Sequence, residues 1–128
     1  MIKPKKSLGQ NFLNDKNILK KIVNSVNIKN RNVVEIGSGT GNLSKELLIN
    51  QPKNLTLIEK DELLFKKLKD ELKDQKNLKF INDDFLKIKL EDFLEEETVV
   101  FGNLPYNIST QILIKLMNIK WPPRYTML

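Results

Sequence analysis

Apolar residues recur at helical spacing early in the chain. Ile18, Leu19, Ile22, Val23 and Val26 fall at i, i+3, i+4 and i+7, which predicts an amphipathic helix over Asp15–Val26 with Asn14 or Asp15 as its cap. Beyond the polar bridge Asn27–Asn32 the rhythm changes. Val33-Val34-Glu35-Ile36 is a short apolar run of strand type, Gly37, Gly39 and Gly41 interrupt it, and Asn42–Asn50 returns to a helical pattern. The alternation then repeats, with Leu55–Glu59 as a strand and Asp61–Lys73 as a helix carrying Leu63, Leu64, Leu68 and Leu72 on one side. Leu78–Ile81 and Thr98–Phe101 predict a third and a fourth strand, Ser109–Asn118 a helix, and Arg124–Leu128 the opening of a fifth strand.

Strands that alternate with helices pair in parallel, so the expected fold is an open, doubly wound α/β sheet with helices on both faces. In such sheets ligands sit beyond the carboxyl ends of the strands. The polar clusters fall there: the glycines after the first strand, Glu59 after the second, Asn82-Asp83-Asp84 after the third, and Gly102-Asn103-Leu104-Pro105-Tyr106 after the fourth.

Composition narrows the chemistry. At 128 residues the chain fits one domain with one sheet-based core. Its 22 basic and 16 acidic residues give a net charge of +6, which favours a polyanionic partner and puts nucleic acid first. Apart from Arg31 and Arg124 the cations are lysines, and the abundance of Lys, Asn and Ile equally matches the codon bias of an AT-rich genome. With no cysteine and no histidine there is no disulfide, thiol nucleophile, imidazole base or ordinary zinc site, and no metal is expected. The charged amino terminus is not followed by an apolar run, and no stretch of about 18 apolar residues occurs, so a cytoplasmic protein with no membrane partner is expected.

Three glycines between a strand and a helix let backbone approach a ligand closely, and a nucleotide-type ligand is the first candidate. The spacing is GxGxG, with Asn42 where a dinucleotide fingerprint would place its third glycine, which counts against NAD, as does the absence of a catalytic His or Tyr-x-x-x-Lys. Glu59 is placed to accept from both ribose hydroxyls of an adenosine, and Asp84 to accept from an adenine amine while Phe85 covers the base. Each acid alone also reads as a solvated strand-end residue, and the glycines alone as a tight turn. Together, in this order, they resemble the class I S-adenosylmethionine-dependent methyltransferases.

Asn103-Leu104-Pro105-Tyr106 resembles the [DNS]-x-P-[YF] signature of methyltransferases that modify exocyclic or amide nitrogens; its alternative is an ordinary Asn-Pro turn. An adenine amine is a poor nucleophile and a sulfonium methyl is strongly electrophilic, so positioning matters more than a base. The Asn103 side-chain oxygen and the Leu104 carbonyl would each accept an N–H of the amine, Pro105 would hold Leu104 extended, and Tyr106 would stack on a flipped or single-stranded adenine.

The segment from Lys6 to Asp15, with Gly102 to Thr110, looks like the ribosomal RNA adenine dimethyltransferases, and the resemblance runs through all 128 residues. It implies that Asn11 and Leu13 close over S-adenosylmethionine, that Gly37 touches the methionine moiety with Gly39 beside it, and that Glu59 holds ribose, Asp84 adenine and Asn103 the reaction centre. It also implies N6-dimethylation of two adjacent adenosines near the 3′ end of 16S RNA in the immature 30S subunit, as part of ribosome biogenesis, by a protein that is monomeric at full length. Gly9 and Leu13-Asn14-Asp15 favour this small-subunit branch over the 23S methylases of macrolide resistance. The intact Asn103–Tyr106 motif argues against a non-catalytic nucleic-acid-binding relative. Residues 1–128 are expected to be an incomplete cofactor-binding domain lacking later strands and a helical RNA-binding part, and so inactive alone.

Overall fold

The computed structural model describes residues 15–92, 94–95, 97–119 and 125–128. Five parallel strands, β1 (Asn32–Ile36), β2 (Asn54–Ile58), β3 (Leu78–Ile81), β4 (Val99–Gly102) and β5 (Tyr125–Met127), form one sheet in the order β3-β2-β1-β4-β5. The central strand, β1, is an almost unbroken apolar run because both its faces are covered. The chain reverses its direction of travel across the sheet between β1 and β4, which places a crevice at their carboxyl ends. Register pairs Ile36 with both Ile58 and Gly102, and Ile58 with Ile81, so four strands end at one level.

The period of two along each strand divides the core. Val33, Leu55, Leu57, Val99 and Phe101 point to one face and pack with Leu19 and Val23 of α1 (Lys16–Asn24), Leu43 and Leu47 of α2 (Asn42–Ile49), and Leu68 of α3 (Glu62–Glu71). Val34, Ile36, Ile58 and Val100 point to the other face, under Ile112 and Leu116 of α4 (Tyr106–Met117) and under Phe85, Leu90 and Leu94 of the β3–β4 connection. That connection contributes only a short 3-10 turn, Leu90–Asp92.

Asp15 caps α1, its Oδ1 accepting from the backbone of Asn17 at 2.9 Å and Ile18 at 3.3 Å. The helix stops at Asn24, short of the expected Val26, where the Ser25 hydroxyl donates to the Ile22 carbonyl and competes with helical bonding. Leu63, expected on the buried side of α3, is 65% exposed. Leu64, Leu68 and Leu72 form an i, i+4, i+8 row on the inner side of the helix, Phe65 beside it meets Phe80 of β3 edge-on, and Leu63 lies off that side.

The largest departure from expectation is α4, which starts at Tyr106 instead of Ser109. The hydroxyl of Ser109, the expected start of the helix, donates to the Leu104 carbonyl, and that of Thr110 to the Tyr106 carbonyl, so both bond back towards a helix start already made. Pro105 occupies the cap position, where its missing N–H costs nothing.

Candidate active site

The glycine turn is tied to the sheet where β1 ends. The backbone N–H groups of Gly37 and Ser38 both donate to the Ile58 carbonyl, at 2.8 and 3.3 Å. Gly37 has φ +71°, and a Cβ there would lie 2.5 Å from the Leu104 side chain, so the turn after β1 and the tetrapeptide after β4 interlock. Gly41, at φ +86°, does the same for Leu68 of α3, where a Cβ would approach to 2.6 Å. Two of the three glycines therefore admit the protein's own side chains, whereas a Cβ at Gly39 would meet the Gly37 carbonyl oxygen at 3.8 Å.

Glu59, one residue past β2, is buried, with 7% of its surface exposed. Its Oε1 accepts from the Gly39 N–H at 2.7 Å and its Oε2 from the Asp61 N–H at 2.9 Å. A carboxylate has about four acceptor positions, so two remain for ligand hydroxyls. Its own carbonyl accepts from the Asn82 side-chain amide at 2.9 Å, which joins the ends of β2 and β3.

Asp84 lies three residues beyond β3 with its side chain 21% exposed. Oδ1 accepts from the Leu86 N–H at 3.0 Å, shaping the loop, and Oδ2 faces Lys60 at 3.7 Å. The Lys60 partner is 77% exposed, so the ion pair itself adds little stability. Phe85 is buried in the second core cluster and also lines the cavity.

That cavity, about 260 Å³, opens at the carboxyl ends of β1, β2 and β4. Its floor is apolar, from Ile36, Ile58, Phe85, Leu104, Ile108 and Ile112, and its polar rim carries Glu59, Lys60, Asp83 and Asp84. Apolar walls with a few convergent acceptors suit a small ligand that presents hydroxyls and an amine around a flat ring. The structure thus brings Gly37, Glu59, Asp84, Phe85 and Leu104 to one place, with Gly39 held there through Glu59. Asn103 is half-buried, while Pro105 and Tyr106 are exposed, Tyr106 to 88%; these three stand outside the cavity lining. Asn11 and Leu13 lie outside the described residues.

Beneath the turn, Glu35 of β1 is buried and accepts a hydrogen bond from the Ser44 hydroxyl of α2. Burial pushes its carboxyl up to about 8; the Ser44 bond opposes the rise and the neighbouring Glu59 adds to it. Sequence reading singled out Glu35 only as part of a strand, Asn82 only within the polar cluster after the third strand and Ser109 only as the first residue of a helix, and it passed over Lys115. For Lys115 a signal existed: it is the one cation inside the apolar helix segment Ile112–Met117.

The family model for ribosomal RNA adenine dimethylases matches residues 1–128. The chain is 49% identical over 119 residues to ribosomal RNA small subunit methyltransferase A of Pelagibacter ubique, covering 92% of this chain and 45% of that protein. Among solved structures, the 23S rRNA methyltransferase ErmE superposes with a TM-score of 0.74 at 27% identity, covering 86% of this chain and 44% of ErmE. A dimethyladenosine transferase from Plasmodium falciparum gives 0.69 at 31% identity, covering 83% and 38%. The fold is that of the class I methyltransferases, and the chain spans about half the length of the curated relatives it matches.

Proposed function

Because the chain belongs to the ribosomal RNA adenine dimethylase family, we propose that it binds S-adenosylmethionine and forms the catalytic half of an enzyme that dimethylates N6 of two adjacent adenosines near the 3′ end of 16S RNA. The observation that carries this reading is the convergence of Gly37, Glu59, Asp84 and Leu104 on one apolar-floored cavity at the switch point of the sheet. The residues fit the cofactor: the two spare acceptor positions of Glu59 suit a ribose diol, Asp84 suits the adenine amine, and the apolar floor suits the base. When bound, S-adenosylmethionine supplies an electrophilic methyl group.

The chain's own residues do the positioning. The side-chain oxygen of Asn103 and the carbonyl of Leu104 each accept an N–H of the target amine and turn its lone pair towards the cofactor side. The Leu104 carbonyl already accepts from the Ser109 hydroxyl at 3.3 Å and keeps its second lone pair for the amine. Tyr106, at the exposed start of α4, offers its ring to the adenine drawn out of the RNA. The substrate, on this reading, is small-subunit RNA in immature 30S particles in the bacterial cytoplasm, and the full-length enzyme is a monomer.

The ErmE superposition keeps a 23S target as the second reading. Labelled methyl transfer to immature 30S particles, 50S particles and protein-free RNA, with mass spectrometry of the modified nucleosides, separates the two. N6-dimethyladenosine in 16S RNA is expected from a version extended to the relatives' length, and cofactor binding without transfer from the 128-residue chain. Modification confined to 23S RNA would replace the first reading by the second, and comparable turnover by the short chain would overturn the expectation that it is inactive alone.

A further inference from the structure

Lys115 sits on α4 in the apolar segment Ile112–Met117, half-buried between Ile112 and Leu116 of the core. Its Nζ donates to the carbonyl of Phe85 and to the carbonyl of Ile88, both at 2.7 Å, and lies 5.5 Å from the centre of the Phe85 ring. Both carbonyls belong to the loop after β3 that carries Asp84. Burial lowers the lysine's proton affinity, and the fields of Asp84 and Glu91 partly restore it. A half-buried cation with two short charge-assisted bonds fixes the backbone on either side of Leu86.

The loop is anchored by Phe85, buried in the second core cluster, with Leu86 and Ile88 packed against that cluster. Between β3 and the 3-10 turn at Leu90 it has no regular structure, and its polar ties are the Asp84 bonds to the Leu86 and Lys87 N–H groups, the bond from the Asp84 N–H to the Asp83 carboxylate and the Asp84–Lys60 ion pair. The far end of α4 begins at Tyr106, directly after Asn103-Leu104-Pro105. Lys115 therefore joins the element that ends the adenine side of the cavity to the helix that starts at the reaction motif.

Resting on the reading of the cavity as an S-adenosylmethionine site, we propose that Lys115 is a positioning residue that sets adenine selectivity by holding the Asp84–Ile88 loop against α4. Asp84 distinguishes adenine from a 6-oxo purine only if Oδ2, which faces the exposed Lys60 ammonium at 3.7 Å, stays where the amine arrives, because a carboxylate oxygen facing a carbonyl oxygen is penalised. A loop released from α4 would let Asp84 turn to solvent and lose that discrimination, while the ribose contacts of Glu59, anchored separately, persist.

The test is the ratio of affinities for S-adenosylhomocysteine and S-inosylhomocysteine, whose bases carry a 6-amine and a 6-oxo group with its accompanying N1–H, measured by calorimetry on the full chain. Wild type is expected to prefer the adenine compound by about tenfold or more. Lys115→Met is expected to bring the ratio to within about twofold of one, with the inosine compound bound nearly as before, and Lys115→Arg to restore most of the preference. General loosening of the fold would weaken both ligands alike and leave the ratio unchanged, which would overturn the proposal. Should Lys115→Met fail to fold, Lys115→Gln takes its place, since its shorter neutral amide cannot reach both carbonyls; an unaltered ratio there overturns the proposal equally. Failure of wild type to bind either compound would instead refute the cofactor assignment.

Discussion

The rim of the cavity that follows β1 and β2 is held by bonds made inside the protein: Glu59 spans the Gly39 and Asp61 N–H groups, Glu35 is locked to Ser44, and Asn82 closes the corner. The rim that follows β4 is built the other way, with Pro105 and Tyr106 in solvent and Asn103 half-buried. The first rim is preorganised for a small ligand and loses little freedom on binding it. The second leaves the Tyr106 ring open to solvent, where, on the proposed function, a base drawn out of RNA would stack.

Substitutions on the two rims should therefore fail differently. The largest effect is expected at Asn103: in a full-length version Asn103→Ala should cut methyl transfer by about 10²–10³-fold, the scale of losing one donor or acceptor aimed at the reacting group, while the melting temperature and cofactor affinity stay close to wild type. Mass spectrometry of N6-dimethyladenosine beside thermal melting checks this; near wild-type product formation would remove Asn103 from the reaction centre. Glu59→Ala is expected to reverse the pattern. It removes two part-buried hydrogen bonds at about 1 kcal/mol each, so both melting temperature and S-adenosylmethionine affinity should fall. Unchanged calorimetric affinity would show that Glu59 serves the turn alone.

Glu35 makes the first rim sensitive to pH. Its carboxyl is raised from 4.5 to about 8 in the folded protein, so the folded state holds a proton that the unfolded state has released between those values. The stabilisation is complete below about 4.5 and is lost as pH rises through 8, at up to about 1.4 kcal/mol per pH unit. Urea denaturation at pH 5, 6, 7 and 8 should show this decline in wild type and a flatter profile in Glu35→Gln. Parallel profiles would place the carboxyl in a more polar setting than its burial implies. The smallest stability effect is expected at Tyr106: Tyr106→Ala should shift folding free energy by less than about 0.5 kcal/mol, as for an exposed residue, yet weaken RNA binding by the roughly 1–3 kcal/mol of a lost base stack. A large loss of stability with RNA binding intact would invert the assignment of this rim.

Much of this was legible in the chain. Alternation of short apolar runs with helical periodicity located all five strands and all four helices of the described residues to within a few positions, and the acids and glycines fell at strand ends as read. Reading failed where a polar side chain had two local uses. The helix expected from Ser109 begins three residues earlier, with Ser109 and Thr110 bonding back towards its start, and Ser25 ends α1 before its apolar pattern does.

What the sequence determined by itself is local: which residues are extended, which are helical, and which chemical groups stand at each strand end, because backbone preference and periodicity act over a few residues. Only the tertiary structure decided that the space a side chain at Gly37 would fill is taken by Leu104, that Glu35 is buried against Ser44 beside Glu59, and that Lys115 reaches the loop after β3. The first and third of these depend on the strand order β3-β2-β1-β4-β5, which sets β4 beside β1 and brings together residues far apart in the chain, and the second on the pairing of β1 with β2. A contact of that kind leaves no periodic trace, since its partners meet only after the sheet has assembled.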